Sequence, residues 1–145
     1  MAVELLRESF EIQGGNFDKA GEISGEIKVI LKDLGLNAAC SRRLVVVAFE
    51  AEMNVVMYAH RGTLTLIITD EDLNLEVMDQ GPGIPDIELA SQEGYSTASD
   101  EMRDMGFGFG MGLPNMKKNA DELRIESEVG KGTSVFAKVR LNTHA

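Results

Sequence analysis

The chain is 145 residues long, carries a formal charge of −10 and has one cysteine, Cys40. That size suits one domain with its own core, expected to be residues 1–145, and a lone cysteine excludes an internal disulfide. No window approaches the roughly 20 apolar residues of a membrane-spanning helix, the start has no signal-like pattern, and the acidic balance excludes a nucleic-acid partner, so a cytoplasmic protein without a membrane partner is expected.

Leu5 to Ile12 alternates, with Leu6, Phe10 and Ile12 on one side and Arg7 and Glu11 on the other, before Gly14-Gly15-Asn16; this predicts an edge strand and a turn. From Asp18 to Leu34, Ile23, Ile27, Ile30, Leu31 and Leu34 recur at helical spacing, and Gly35 ends a first helix that Gly21 and Gly25 weaken. Asn37 caps a longer helix, in which Leu44, Val47, Ala48, Ala51, Val55 and Ala59 keep the period as far as Arg61-Gly62. Thr63 to Thr69 and Leu73 to Met78 read as a hairpin around the acidic turn Asp70-Glu71-Asp72. Between Asp79 and Gly112 the chain is rich in glycine and polar residues and too long for an ordinary connection, which marks a functional lid, about 86–112. A helix from Leu113 to about Ala120, then strands near Leu123 to Glu128 and Thr133 to Leu141, complete the chain, without an internal repeat.

Glu50 and Asn54 stand four apart on the long helix and so share a face. The run Leu44-Val45-Val46-Val47-Ala48-Phe49 before them is apolar all round, which implies a largely buried helix where a carboxylate and an amide need partners. On the following strand Leu73, Leu75 and Val77 share one parity, and Asp79 shares it too, so an aspartate is aimed at the interior. Gln80-Gly81-Pro82-Gly83-Ile84-Pro85 follows, with glycines that permit close approach of a ligand to backbone. In the last strand Thr133 shares the face of Val135, Ala137 and Val139. An inward acceptor and an inward hydroxyl in an apolar pocket suit recognition of an adenine edge.

Gly106-Phe107-Gly108-Phe109-Gly110-Met111-Gly112 leads into Leu113-Pro114-Asn115, flexible backbone before a helix N-terminus, which is a phosphate-binding arrangement. The acidic charge does not conflict, because backbone N–H groups and a metal ion hold phosphate without lysines. Neither a Rossmann nor a P-loop motif fits.

Taken in order, Glu50-x-x-x-Asn54, Asp79-x-Gly81-x-Gly83-Ile84, Gly108-x-Gly110-x-Gly112 and Gly132-Thr133 resemble the motif set of the Bergerat-fold (GHKL) ATPases over roughly Leu44 to Ala137. The resemblance implies an α/β (α+β) two-layer sandwich, a mixed, mostly antiparallel sheet with helices on one face. It implies ATP and Mg2+ as cofactors, Asn54 on the magnesium, Asp79 on the adenine amino group, Gly81, Gly83 and Ile84 at the pocket edge, and Thr133 supporting Asp79. Gly108, Gly110, Gly112 and Leu113 would wrap the phosphates, and Glu50 would activate the attacking hydroxyl or water. Among subfamilies the chain is similar to the small anti-sigma serine kinases of stress-response modules, through Pro85-Asp86-Ile87-Glu88-Leu89-Ala90, Glu93-Gly94-Tyr95-Ser96-Thr97 and Glu128-Val129-Gly130-Lys131-Gly132-Thr133.

This type implies a protein serine/threonine kinase acting on a STAS-type antagonist, with a sigma factor or regulatory phosphatase as further partners and a homodimer as one assembly. Two alternatives stand beside it: an ATP-dependent docking module without catalysis, and the ATP-binding half of a split histidine kinase, for which neither His60 nor His144 has a suitable context. Two positions depart from the stress-module pattern, Met53 where many members carry arginine and the long acidic stretch Ala98 to Gly106; both point to a different partner. Arg61, Arg103, Lys117 and Lys131 are the candidate phosphate cations.

Overall fold

A computed structural model describes residues 2–81, 83 and 112–141. Its first strand, β1 (Glu4–Gln13), is followed by a 3-10 turn at Phe17–Lys19, then α1 (Glu22–Asp33) and α2 (Ala38–Tyr58). The hairpin β2 (Arg61–Thr69) and β3 (Asp72–Gln80) comes next, and after the undescribed segment α3 (Gly112–Asn119), β4 (Glu122–Glu128) and β5 (Gly132–Arg140). The sheet runs β1-β2-β3-β5-β4. Every pairing among the described residues is antiparallel, the limiting case of the mostly antiparallel sheet expected.

Period two explains the layering. Leu64, Leu66 and Ile68 of β2, Leu73, Leu75 and Val77 of β3 and Val135, Ala137 and Val139 of β5 are all buried against the helices. The opposite face carries Ser9, Thr65, Glu76, Phe136 and Arg124 in one cross-strand row, with the Arg124 guanidinium 4.4 Å from the Phe136 ring centre. The long helix α2 lies across the inner face and between α1 and α3. Its stripe Leu44, Val47, Ala48, Ala51 and Val55 meets the core, each residue at most 2% exposed. The helix is largely buried, as expected, but not all round: Val46 and Phe49 are exposed, whereas Met53, on the side away from the stripe, is covered.

The Asn37 cap forms, its side chain accepting from the Cys40 N–H at 3.0 Å. The first helix is shorter than its apolar period suggests. Gly21 adopts φ 92°, a left-handed conformation that no helix continues through, and it separates the turn at Phe17–Lys19 from α1. Nor does α2 reach Arg61-Gly62. Ala59 turns extended, and Arg61 and Gly62 enter β2, where a side chain at Gly62 would press on Val55 at 3.0 Å.

Gly21 provides no side-chain cap to α1, and Glu52 supplies one from α2. Its carboxylate is 1% exposed and accepts from the N–H groups of Gly21, Ile23 and Ser24 at 3.1, 3.3 and 3.0 Å. A negative group at a helix N-terminus is favoured by both the orphan donors and the dipole. Glu52→Gln turns one acceptor into a donor facing those amides and is expected to cost about 2 to 3 kcal/mol. Urea unfolding measures this, and an unchanged midpoint would remove Glu52 from the cap.

At the other end of α2, Arg43 bonds Asp121 at 2.8 Å, and Asp121 also accepts from the Arg140 N–H at 2.6 Å, clipping the helix to the β4–β5 edge. The Arg43 hydrogen bond and then the Arg140 amide hold the Asp121 carboxyl below its ordinary value of 3.8. A depressed acid stabilises the fold above its unfolded pKa, and that contribution disappears as pH falls through the folded value. Asp121→Asn is therefore expected to lower the unfolding midpoint at pH 7, and the gap to wild type should close below about pH 4. A gap that persists in acid would show that packing, not charge, is lost.

Candidate functional site

Glu50 and Asn54 leave α2 on the side that meets α3. A Cβ added to Gly112, the first residue of α3, would lie 3.3 Å from Glu50 Oε2 and 3.5 Å from Asn54 Oδ1. The helix start thus rests against both polar groups, and a side chain there would crowd the Glu50 carboxylate and touch Asn54. Asn115, one turn into α3, donates from Nδ2 to Glu50 Oε1 at 3.3 Å. Burial pushes the half-buried Glu50 carboxyl above its ordinary value, and the Asn115 hydrogen bond opposes this. The arrangement pairs a carboxylate of raised proton affinity with a neutral oxygen donor at a helix N-terminus. Such a set suits a proton acceptor beside a hard cation and an anionic ligand.

Asp79 falls where parity places it, sharing the inner face of β3 with the buried Leu73, Leu75 and Val77. The β3–β5 ladder has its last pair at Met78 and Ser134, and beyond it the Thr133 N–H turns to Asp79 Oδ1 at 3.0 Å. Burial raises the Asp79 carboxyl above its ordinary value, against the opposing effect of that amide. Thr133 meets Asp79 through its backbone. Its hydroxyl lies 2.9 Å from Ser127 Oγ on β4, which shares the strand-to-strand pairing. The second Asp79 oxygen can accept from an amino group such as that of adenine.

Gly81 packs on Ala59, just past the end of α2 and little more than one turn after Asn54, which brings the end of β3 to the same end of the helix as the polar pair. Gly83, at φ 78°, sits on the Glu128 carbonyl, where a side chain would collide. Leu113 is 6% exposed and anchors α3 in the core with Met116. Met53, where the resembling kinases often carry arginine, is 3% exposed. Ile84, Gly108, Gly110 and Arg103, and with them the expected lid up to residue 111, lie outside the described residues.

The candidate cations are placed unevenly. Arg61 Nε donates to Gln80 Oε1 at 2.9 Å, Lys131 pairs with Glu128 at 3.3 Å, and Lys117 is exposed in the last turn of α3. Sequence reasoning missed Asn115 and Glu52. Asn115 stands three residues after Gly112, so helical spacing already put the two on one face. Nothing comparable signalled Glu52, whose partners are on another helix.

Residues 39–143 match the family described as histidine kinase-, DNA gyrase B- and HSP90-like ATPase. The chain is 32% identical over 112 residues to the serine/threonine-protein kinase RsbT of Bacillus subtilis, covering 74% of this chain and 78% of that kinase. It is 37% identical over 94 residues to the anti-sigma F factor of Clostridium acetobutylicum, covering 61% of this chain and 62% of the factor. A solved structure of the RsbU and RsbW domains of a Mycobacterium tuberculosis protein superposes with a TM-score of 0.60 at 14% identity, over 92% of this chain and 32% of that one, and shares its fold. By these matches the chain belongs to the histidine kinase-, DNA gyrase B- and HSP90-like (GHKL) ATPase family, and within it to the anti-sigma kinase type.

Proposed function

We propose that the chain is a Mg-ATP-dependent protein serine/threonine kinase that acts on a STAS-type antagonist in a sigma-factor partner-switching system. The observation that carries this reading is the seating of Gly112, at the start of α3, against Glu50 Oε2 and Asn54 Oδ1. The kinase and anti-sigma factor names of its relatives support it.

On this reading Asp79 accepts from the adenine amino group while the Thr133 amide holds the carboxylate in place. Asn54 Oδ1 suits a magnesium ion, a hard cation that takes oxygen ligands, and the glycine at the helix start leaves room beside it. When bound, that ion offsets charge on the phosphates. Glu50 accepts the proton of the substrate hydroxyl as its oxygen bonds to the γ-phosphorus. The bond from that phosphorus to the bridging oxygen breaks, and ADP leaves with the electron pair. The raised proton affinity of Glu50 moves it toward the range where a base works best near neutral pH.

The test is incubation with γ-labelled Mg-ATP and the STAS-domain proteins of the same cell. Label on a serine or threonine of one of them is expected. If nucleotide binds and none is labelled, the protein is an ATP-dependent docking module and the kinase reading is wrong.

A further inference from the structure

Glu50 has several rotatable bonds, and a base needs one lone pair aimed at one proton. Its two oxygens differ in surroundings. Oε1 is tied to Asn115 Nδ2 at 3.3 Å, whereas Oε2 faces the helix start at Gly112, toward Asn54. The residue holding Oε1 is itself fixed. Leu113, Pro114 and Met116 are buried around it, and Asn119 Nδ2 donates to the Asn115 carbonyl at 2.8 Å.

We propose that Asn115 is the positioning residue of Glu50: its amide pins Oε1 and so leaves Oε2 as the oxygen that takes the hydroxyl proton. The proton transfer rests on the kinase reading above, and the contact on geometry alone. A carboxamide suits the task because it donates without charge. A lysine or arginine there would form an ion pair that weakens Glu50 as a base, and an aspartate would repel both Glu50 and an incoming phosphate. The same short helix then carries two duties, Gly112 at the candidate phosphate side and Asn115 at the base, so that seating α3 aligns both.

In the nucleotide-free protein, the side-chain amide resonances of Asn115 should move on Glu50→Ala, whether or not the enzyme is active; unmoved resonances would overturn the contact. In the transfer assay, Asn115→Ala should lower kcat about 10- to 100-fold, with the Kd for ATP, the KM for the protein substrate and the melting temperature each changed less than about 2-fold or 2 °C. In a Glu50→Asp background, which already displaces the carboxylate, the same substitution should cost little more. A loss of ATP affinity matching the loss of kcat would make Asn115 a nucleotide ligand, and full additivity with Glu50→Asp would separate it from the base; either result overturns the proposal. A wild type that transfers no phosphate, with the resonance shift intact, would instead sink the kinase reading alone.

Discussion

Asp79→Asn is expected to weaken ATP binding about 10- to 100-fold while leaving the empty protein at least as stable as wild type. The carboxylate can accept from Thr133 N–H and from an adenine amino group together, whereas a carboxamide has one acceptor and one donor, so one N–H must face an NH2. Losing a hydrogen bond to a charged group costs about 1.5 to 3 kcal/mol, which sets the range. Stability moves the other way because burial raises the Asp79 pKa. A raised acid binds more protons folded than unfolded, so its ionisation destabilises the fold as pH rises from the ordinary aspartate value through the raised one. Asparagine lacks that penalty. Thermal unfolding with and without Mg-ATP separates the two effects, since only wild type should gain stability as ligand exceeds its Kd. Equal ATP-dependent gains in both would remove Asp79 from the nucleotide pocket.

The second large effect is expected at Glu50. Glu50→Gln keeps the size of the side chain and the hydrogen-bond acceptor for Asn115 but cannot take a proton, so phosphate transfer should fall about 10²- to 10⁴-fold with ATP affinity nearly unchanged. The pH profile carries the same information in wild type. Because burial raises the Glu50 pKa, the acidic limb of kcat should lie above the range of an ordinary glutamate, with activity lost as pH falls and the carboxyl protonates. An acidic limb at the ordinary value, or a glutamine variant as fast as wild type, would assign the proton to another group.

Local pattern carried much of this site, and particular residues show where it stopped. Asp79 was legible because side chains alternate along a strand, and Glu50 with Asn54 because four residues make about one helical turn. The split before α1 was not, since the apolar period runs past Gly21 and only the observed φ of 92° breaks it. The C-terminal limit of α2 depended on Gly62 entering β2, a tertiary event that helical period does not encode. At Thr133 parity selected the correct face, yet the group that reaches Asp79 is the amide, freed because the ladder has already ended. Asn115 and Glu52 act between helices, and spacing on one helix says nothing about which neighbour it meets.

The two carboxylates of α2 lie only two residues apart, which on a helix is about 200° of rotation. On the proposed reading one side of this cylinder serves chemistry at Glu50, while nearly the opposite side serves architecture at Glu52, so the pair can be edited independently. A Glu50→Gln protein should stay intact and ATP-loaded, which makes it a trap: a catalytically silent bait that keeps its grip on a protein substrate long enough for the two to be isolated together.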